Sequence, residues 1–277
     1  MMARSIDESL RPYFSGEKLY GDDFDDQGIY DWFVDEAEGY ADLGAKEKDL
    51  YRYEYHGINR YHGYRWLGDR SFENVLGMGS AYGDELMPII GRIGKISILD
   101  SSEAFNVTAI GGVPVSYHKA ESSGDLPFDD NSFGLITCFG VQHHIPNVSH
   151  VLGEMFRCLS VGGVALIREP TTSMGDWRSP RPGLTKRERG LPQKLFGNML
   201  ASAGFCVKRA EPCFFPVVRI AGSAMGLHVY NHVFSARIDH WLSKAFAWNY
   251  AYYRPTKLSK MAPGCGFWLV SKEPATS

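Results

Sequence analysis

Long hydrophobic runs are missing from this chain. None of its 277 residues lies in an apolar stretch of transmembrane length, and the opening MMARSIDESLRPYF has no apolar core of a secretion signal. Cysteine is scarce and unpatterned: Cys138, Cys158, Cys206, Cys213 and Cys265 form no CxxC pair and no Cys/His metal spacing. Their odd number and apolar settings argue for reduced, buried thiols, so neither a metal centre nor a disulfide framework is expected. Neither sign of charge dominates. With 29 Lys and Arg against 32 Asp and Glu, the net charge of −3 gives no reason to expect a nucleic-acid partner. Repeats and low-complexity tracts are also absent. What remains is the expectation of a soluble, cytoplasmic protein whose 44% hydrophobic and 13% aromatic content suffices for a buried core.

What is present starts with VLGMGSAYGDEL at 75–86 and ILDSSEAF at 98–105. An apolar run enters a loop with small residues at Gly77, Gly79, Ala81 and Gly83, and a second apolar run ends in Asp100. A strand, a small-residue turn and a further strand closing on a carboxylate make half of a nucleoside-binding site. The glycines let backbone approach the ligand, and the acid can accept from both ribose hydroxyls. Asp100 could also cap a helix opening at Ser101–Glu103.

Alternation continues downstream. Candidate strands are 74–78, 96–100, 113–117, 133–139 and 164–168, with helical character at 84–93 and 102–110. Val148, Val151, Leu152, Met155, Phe156 and Leu159 form one apolar helix stripe, which Gly162-Gly163 is expected to stop. A second stripe runs from Leu195 to Ala203, and 205–215 and 266–272 read as strands. Continuous apolar strands between helices predict an α/β fold with a mostly parallel sheet covered on both faces. Residues 1–70 are expected to form an N-terminal helical lid, and 71–277 the core, with a helical insert at about 216–263 before the last strand.

GDLPFDDNSFGLITCFGVQHHIPN at 124–147 and VLGEMFRCLSVGGVALIREP at 151–170 carry a more specific pattern. Leu126-Pro127-Phe128, Asn131-Ser132-Phe133, Glu154, Arg157, Leu159 and Gly162-Gly163 resemble, in order and spacing, the class I S-adenosylmethionine (SAM) methyltransferases with LPF–D–SFD–L and E–R–L–PGG signatures. The resemblance covers roughly residues 70–170. It implies a seven-stranded Rossmann-like sheet and SAM as cofactor. It places Gly77, Gly79, Ser80, Ala81, Gly83, Asp100, Ser101, Gly124, Asp125 and Leu126 around that cofactor. Three positions depart from the family: Gly77 stands where an acid is usual, Ala81 where glycine is usual, and Gly134 follows Phe133 where Asp is usual. An acid from the N-terminal region, such as Glu54, is one replacement for the first.

The resemblance also locates the acceptor. His144 matches a recurrent histidine beyond the fourth strand; with His143 and Glu169 it forms the set of candidate bases. The basic loop with Trp177, Arg178 and Arg181, and the aromatic segment with Tyr53 and His56, are candidate acceptor contacts. The reading is O-methylation of a small-molecule or carbohydrate acceptor, nucleotide-linked or otherwise anionic. Its rivals are a SAM-binding module without activity, a nicotinamide-dependent oxidoreductase, and a lipid-facing enzyme resting on 216–263. The oligomeric state is left open.

Overall fold

Residues 7–42 and 51–274 are described by the computed structural model, so the expected lid segment 1–70 falls partly outside the described residues. Three helices precede the sheet: α1 (Arg11–Ser15), α2 (Asp26–Asp42) and α3 (His56–His62). Strands β1 (Phe72–Met78), β2 (Ile93–Asp100), β3 (Ala109–Ile110), β4 (Val113–Lys119) and β5 (Phe133–Phe139) follow. Next come α4 (Val148–Cys158), β6 (Leu159–Pro170), α5 (Gln193–Ser202), β7 (Cys206–Cys213), α6 (Pro216–Ala224), α7 (Val233–Ala245) and β8 (Cys265–Ser271).

The strands form one sheet in the order β3-β4-β2-β1-β5-β6-β8-β7. Pairing is parallel from β4 through β6, and β8 runs antiparallel to both β6 and β7. The sheet has eight strands, one more than expected. The extra one, β3, pairs antiparallel with β4 across Gly111-Gly112, whose φ values of +53° and +86° only glycine adopts freely. Reversal of strand order at β1, between β2 and β5, places a crevice at the carboxyl ends of these strands.

Three local expectations are corrected. The stretch expected as a helix at 84–93 is a 3-10 helix over Asp84–Arg92, because Pro88 in its middle removes a backbone donor. The helix expected at 102–110 is a single 3-10 turn capped by Ser102, whose hydroxyl accepts from the Ala104 amide, followed by β3. Asp100 is therefore not the cap of a helix. Gly162-Gly163 does not stop α4, which ends at Cys158; both glycines lie inside β6, where the Gly162 amide donates to Lys272 O.

Period-two alternation divides the core. Leu76, Ile136, Ala165, Ile167 and Val270 face α4 and α5, whereas Val75, Leu135, Leu166 and Leu269 face a layer of α3, α7 and the 84–92 segment. The Glu154 and Arg157 pair has a structural task. Arg157 donates to the carbonyls of Leu126 and Phe128 and to Glu154 and Asp130, while Glu154 accepts from the Leu126 amide. These contacts pin 126–130, the far rim of the crevice, to α4.

Arg157→Gln is expected to lower stability by about 1–3 kcal/mol, the scale of several charge-assisted hydrogen bonds lost together. His150→Ala, which removes only the exposed pair with Asp125, should change it by less than about 0.5 kcal/mol. Thermal denaturation of both variants checks the contrast; equal losses would contradict it.

Candidate active site

The β1–β2 edge builds the first wall. At the end of β1 the Gly79 amide donates to Leu99 O at 2.8 Å, drawing the loop across the tip of β2. Gly79 has φ +56°, and a Cβ there would stand 2.5 Å from Val141 Cγ2, so only glycine fits. Ala81 has φ +47°, which explains why glycine is usual at this position and costs about 1–2 kcal/mol of backbone strain. Its amide donates to Asp100 Oδ2 at 3.1 Å, and the Ser102 amide donates to Asp100 Oδ1 at 3.0 Å. Burial pushes the Asp100 carboxyl above its ordinary pKa, and these backbone amides oppose the shift.

Asp100 lines a cavity of about 320 Å³ together with Gly79, Ala81, Ser101, Gly124, Asp125 and Leu126. Gly124 has φ +82°, and a Cβ there would meet Val151 at 2.8 Å. Gly77, Ser80 and Gly83 do not line this cavity. Gly83, with φ +70°, packs against Ile110. His144 and Glu36 complete the cavity wall.

A second cavity of about 260 Å³ shares Tyr51, Met78 and Gly79 with the first. Ser80, Tyr53, Glu85 and Arg168 line it. A Cβ on Gly77 would collide with the Ser80 hydroxyl and lie 3.4 Å from Glu85 Oε1. Glu85 thus puts a carboxylate beside the position an acid at 77 would occupy; the Ser80 hydroxyl bonds that carboxylate, and the Tyr64 hydroxyl donates to the Glu85 backbone carbonyl at 2.8 Å. Burial raises the Glu85 pKa to about 7, with the Ser80 hydrogen bond opposing. Glu54 also reaches this cavity, but it is half exposed and paired with His228.

Opposite in sign stands Arg168, buried, donating to Asn59 Oδ1 at 2.7 Å; Asn59 in turn donates to the Tyr53 hydroxyl at 2.6 Å. Burial raises the Tyr53 phenol well above its ordinary range. His56 packs beside the Tyr53 ring and uses its backbone amide on Asn231, outside both cavities.

The three candidate bases separate. Glu169 is fully buried and accepts from the Val141 and Gln142 amides and from His143 Nδ1, so it faces the loop and not the cavity. His143 lies between Glu169 and Glu188, with Nε2 at 3.4 Å from Glu188 Oε1. Burial works against its charge, yet the two carboxylates win and keep it protonated at neutral pH. His144 lines the cavity, bonded through Nδ1 to Glu36 Oε2 at 2.8 Å; burial and the charge on His143 hold it neutral. Glu36 accepts also from the Thr185 hydroxyl and the Arg187 amide. One ligand atom each from His143, His144 and Glu188 lies within 4.8 Å of the others, a grouping with metal-ligand chemistry that the sequence did not suggest.

The basic loop does not frame this site. Arg181 donates to the carbonyls of Met174, Thr185, Lys186 and Glu188, and Arg178 pairs with Asp176. Trp177 is buried against Phe14, with ring centroids 4.0 Å apart. Lys186 and Arg187 close on Asp35. None of the three expected contacts lines either cavity. Sequence reasoning missed Glu85, Arg168 and Glu36. For Arg168 the signal was available: adjacent residues on a strand face opposite sides, so it could not serve the same surface as Glu169.

Comparison with known proteins agrees with the geometry. A family model described as a methyltransferase domain matches residues 76–167. A ubiquinone/menaquinone biosynthesis C-methyltransferase from Psychromonas ingrahamii is 29% identical over 120 residues, 39% of this chain and 46% of that protein. Its Escherichia coli counterpart is 30% identical over 115 residues, 37% and 44% of the respective lengths. The match thus spans less than half of these curated relatives. Among solved structures, a SAM-dependent methyltransferase from Listeria monocytogenes superposes with a TM-score of 0.54 at 12% identity, covering 80% of this chain and 98% of that one. One from Mesorhizobium loti gives 0.50 at 15% identity, covering 75% and 94%. The fold and crevice define a Rossmann-like methyltransferase domain. Residues 76–167 match the methyltransferase domain model, and the fold around them is the one found in SAM-dependent methyltransferases, whose cofactor is S-adenosylmethionine.

The residues fit that cofactor: a loop whose tight approach at position 79 only glycine allows, a carboxylate at the tip of β2, and a cavity beside both. Asp100→Ala should weaken binding of S-adenosylhomocysteine by about 1–3 kcal/mol in calorimetry, the scale of hydrogen bonds to a charged group. Unchanged affinity would remove Asp100 from the site.

Proposed function

We propose that the chain binds SAM with its nucleoside against Asp100, Gly124 and Leu126 and its amino-acid end toward Glu85 and Arg168, and methylates an oxygen of a small-molecule or carbohydrate acceptor. One observation carries this reading: a single cavity is lined both by the Asp100 carboxylate and by a neutral histidine fixed by its own carboxylate. The sulfonium supplies the methyl group, leaving S-adenosylhomocysteine when that group passes to the acceptor. The protein has then to align the acceptor and take its hydroxyl proton. His144, oriented through Nδ1 by Glu36, takes that proton; Glu169 and His143 hold the 141–144 loop in place.

Glu85 and Arg168 present a buried negative and a buried positive group to one cavity, which suits the ammonium and carboxylate of an amino acid. This answers the loss of the acid at Gly77 and argues against a module that has lost its cofactor. Carbon as the acceptor atom is the second reading, favoured by the C-methyltransferase names of the relatives. A carbon acceptor also gives up a proton, so the same base serves.

His144→Ala should lower turnover by on the order of a hundredfold while SAM still binds. In the wild type, turnover should fall only on the acid side, at a pH below the ordinary histidine value of 6.5, since the pKa of His144 is lowered. Release of labelled methyl from SAM into small-molecule extracts, followed across pH, reads both; unchanged turnover in the variant contradicts the assignment. SAM affinity has a different signature. The ionised form of Glu85 binds the ammonium, so affinity should rise with pH through about 7. Glu85→Gln should abolish that rise, and a variant with the wild-type pH profile would exclude Glu85.

A further inference from the structure

Helix α7 is inverted for a surface helix. The side it turns toward the protein carries Ala236, Asp239, His240 and Ser243, and the side it turns to solvent carries Phe234, Ile238 and Trp241. At 100° per residue these three lie within one stripe opposite the inward set. Their exposures are 74%, 42% and 61%. Helix α6 repeats the arrangement: Val217 and Ile220, with Met225 just beyond its end, stand exposed at i, i+3 and i+8. Of sixteen large apolar side chains exposed among the described residues, ten fall within 216–263. A monomeric surface does not concentrate apolar groups in this way without a partner.

Charge identifies the partner. The whole chain is net negative, but 216–263 holds six cations against one acid, Asp239; Lys244 pairs with Glu211 and Arg254 donates to the Ala262 and Pro263 carbonyls, which leaves Arg219, Arg237, Lys257 and Lys260 as the exposed charges. Asp239 is buried, its carboxylate accepting from the Phe214 and Phe215 amides, so it does not offset the surface charge. Two copies meeting through this face would bring like charges together, which disfavours a second copy of the chain. An aromatic and aliphatic face bordered by Lys and Arg matches the interface of an anionic bilayer. No helix among the described residues is long and apolar enough to cross a membrane, so the contact is with the surface.

We propose that the α6–α7 insert docks the protein onto anionic lipid bilayers, with Phe234, Ile238, Trp241, Val217 and Ile220 entering the headgroup boundary and the exposed Arg219, Arg237, Lys257 and Lys260 facing lipid charge. The docked face is tied to the second cavity. Asn231, between the two helices, accepts from the His56 amide and donates to Tyr53 O. The proposal does not depend on the reaction assigned above.

Co-sedimentation with vesicles tests it. The protein should bind phosphatidylcholine vesicles containing phosphatidylserine, with a blue shift of tryptophan emission, and should bind phosphatidylcholine alone far less. High salt should release it. Replacing Phe234 and Trp241 together by Ser should lower the partition coefficient by about tenfold or more, and Arg219→Gln with Arg237→Gln by a similar factor. Calorimetry with S-adenosylhomocysteine shows that each variant is folded. Failure to bind anionic vesicles overturns the proposal, as does equal binding by the Phe234 and Trp241 variant. So does a lipid-free dimer that the same substitutions dissociate, or a proteinaceous partner that the wild type prefers over lipid.

Discussion

The site depends on one buried cation. Arg189 has no solvent exposure, and its guanidinium donates to the carbonyls of Tyr20, Gln142, His143, Ile145 and Pro146, with the Trp32 ring 4.9 Å away. Burial lowers its pKa, but only to about 10, so it stays charged at neutral pH. A guanidinium out of water is tolerable only where its donors are satisfied, and the carbonyls of the loop after β5 supply that. The consequence is geometric. The loop that carries both histidines is clamped to the N-terminal segment, and Trp32 adds a hydrogen bond to His144 O at 2.7 Å. That clamp, with the Thr185 hydroxyl and Arg187 amide on Glu36, sets Glu36 against His144.

A second constraint is the pleat of β6. Arg168 and Glu169 are neighbours in sequence, yet strand alternation sends them to opposite faces. Glu169 orders the loop and His143 on one face, while Arg168 enters the Tyr53 and Glu85 cavity on the other. One dipeptide thereby serves both cavities. The parallel edge of β1, β2 and β5 places these cavities side by side, sharing Gly79 as their common wall.

Strands β1, β2 and β5 were legible in the sequence because each is a short apolar run ended by glycine or acid, and the α4 stripe because its 3.6-residue period is unbroken; the two-residue β3 offered no such run. The helices expected after β1 and β2 were not, since Pro88 and the Gly111-Gly112 turn outweigh apolar spacing over such short stretches. Within the site, Asp100 and the Gly79 loop could be read locally, because strand end and turn fix their direction. Glu36 and the Arg189 clamp could not, as each acts across the chain: Glu36 meets His144 from 108 positions away. Glu85 is local, bonded to Ser80 and beside Gly77, but its turn back toward Gly77 shows only once the 84–92 segment is folded. The basic loop was expected to contact the acceptor, yet its charges turn inward: Arg181 and Arg189 bind backbone carbonyls, and Lys186 and Arg187 reach back to Asp35. The insert was legible as helical, but its inverted polarity emerges only when burial is known, because a stripe of Phe, Ile and Trp reads from sequence as a core face.

The central claim is that two contiguous cavities receive the two ends of one cofactor. A crystal structure with S-adenosylhomocysteine tests it most directly. The account predicts the ribose hydroxyls on the Asp100 carboxylate, the ammonium within hydrogen-bond distance of Glu85 and the carboxylate toward Arg168. An amino-acid end directed instead to the Glu36 and His144 wall, leaving Glu85 and Arg168 without contact, would contradict it.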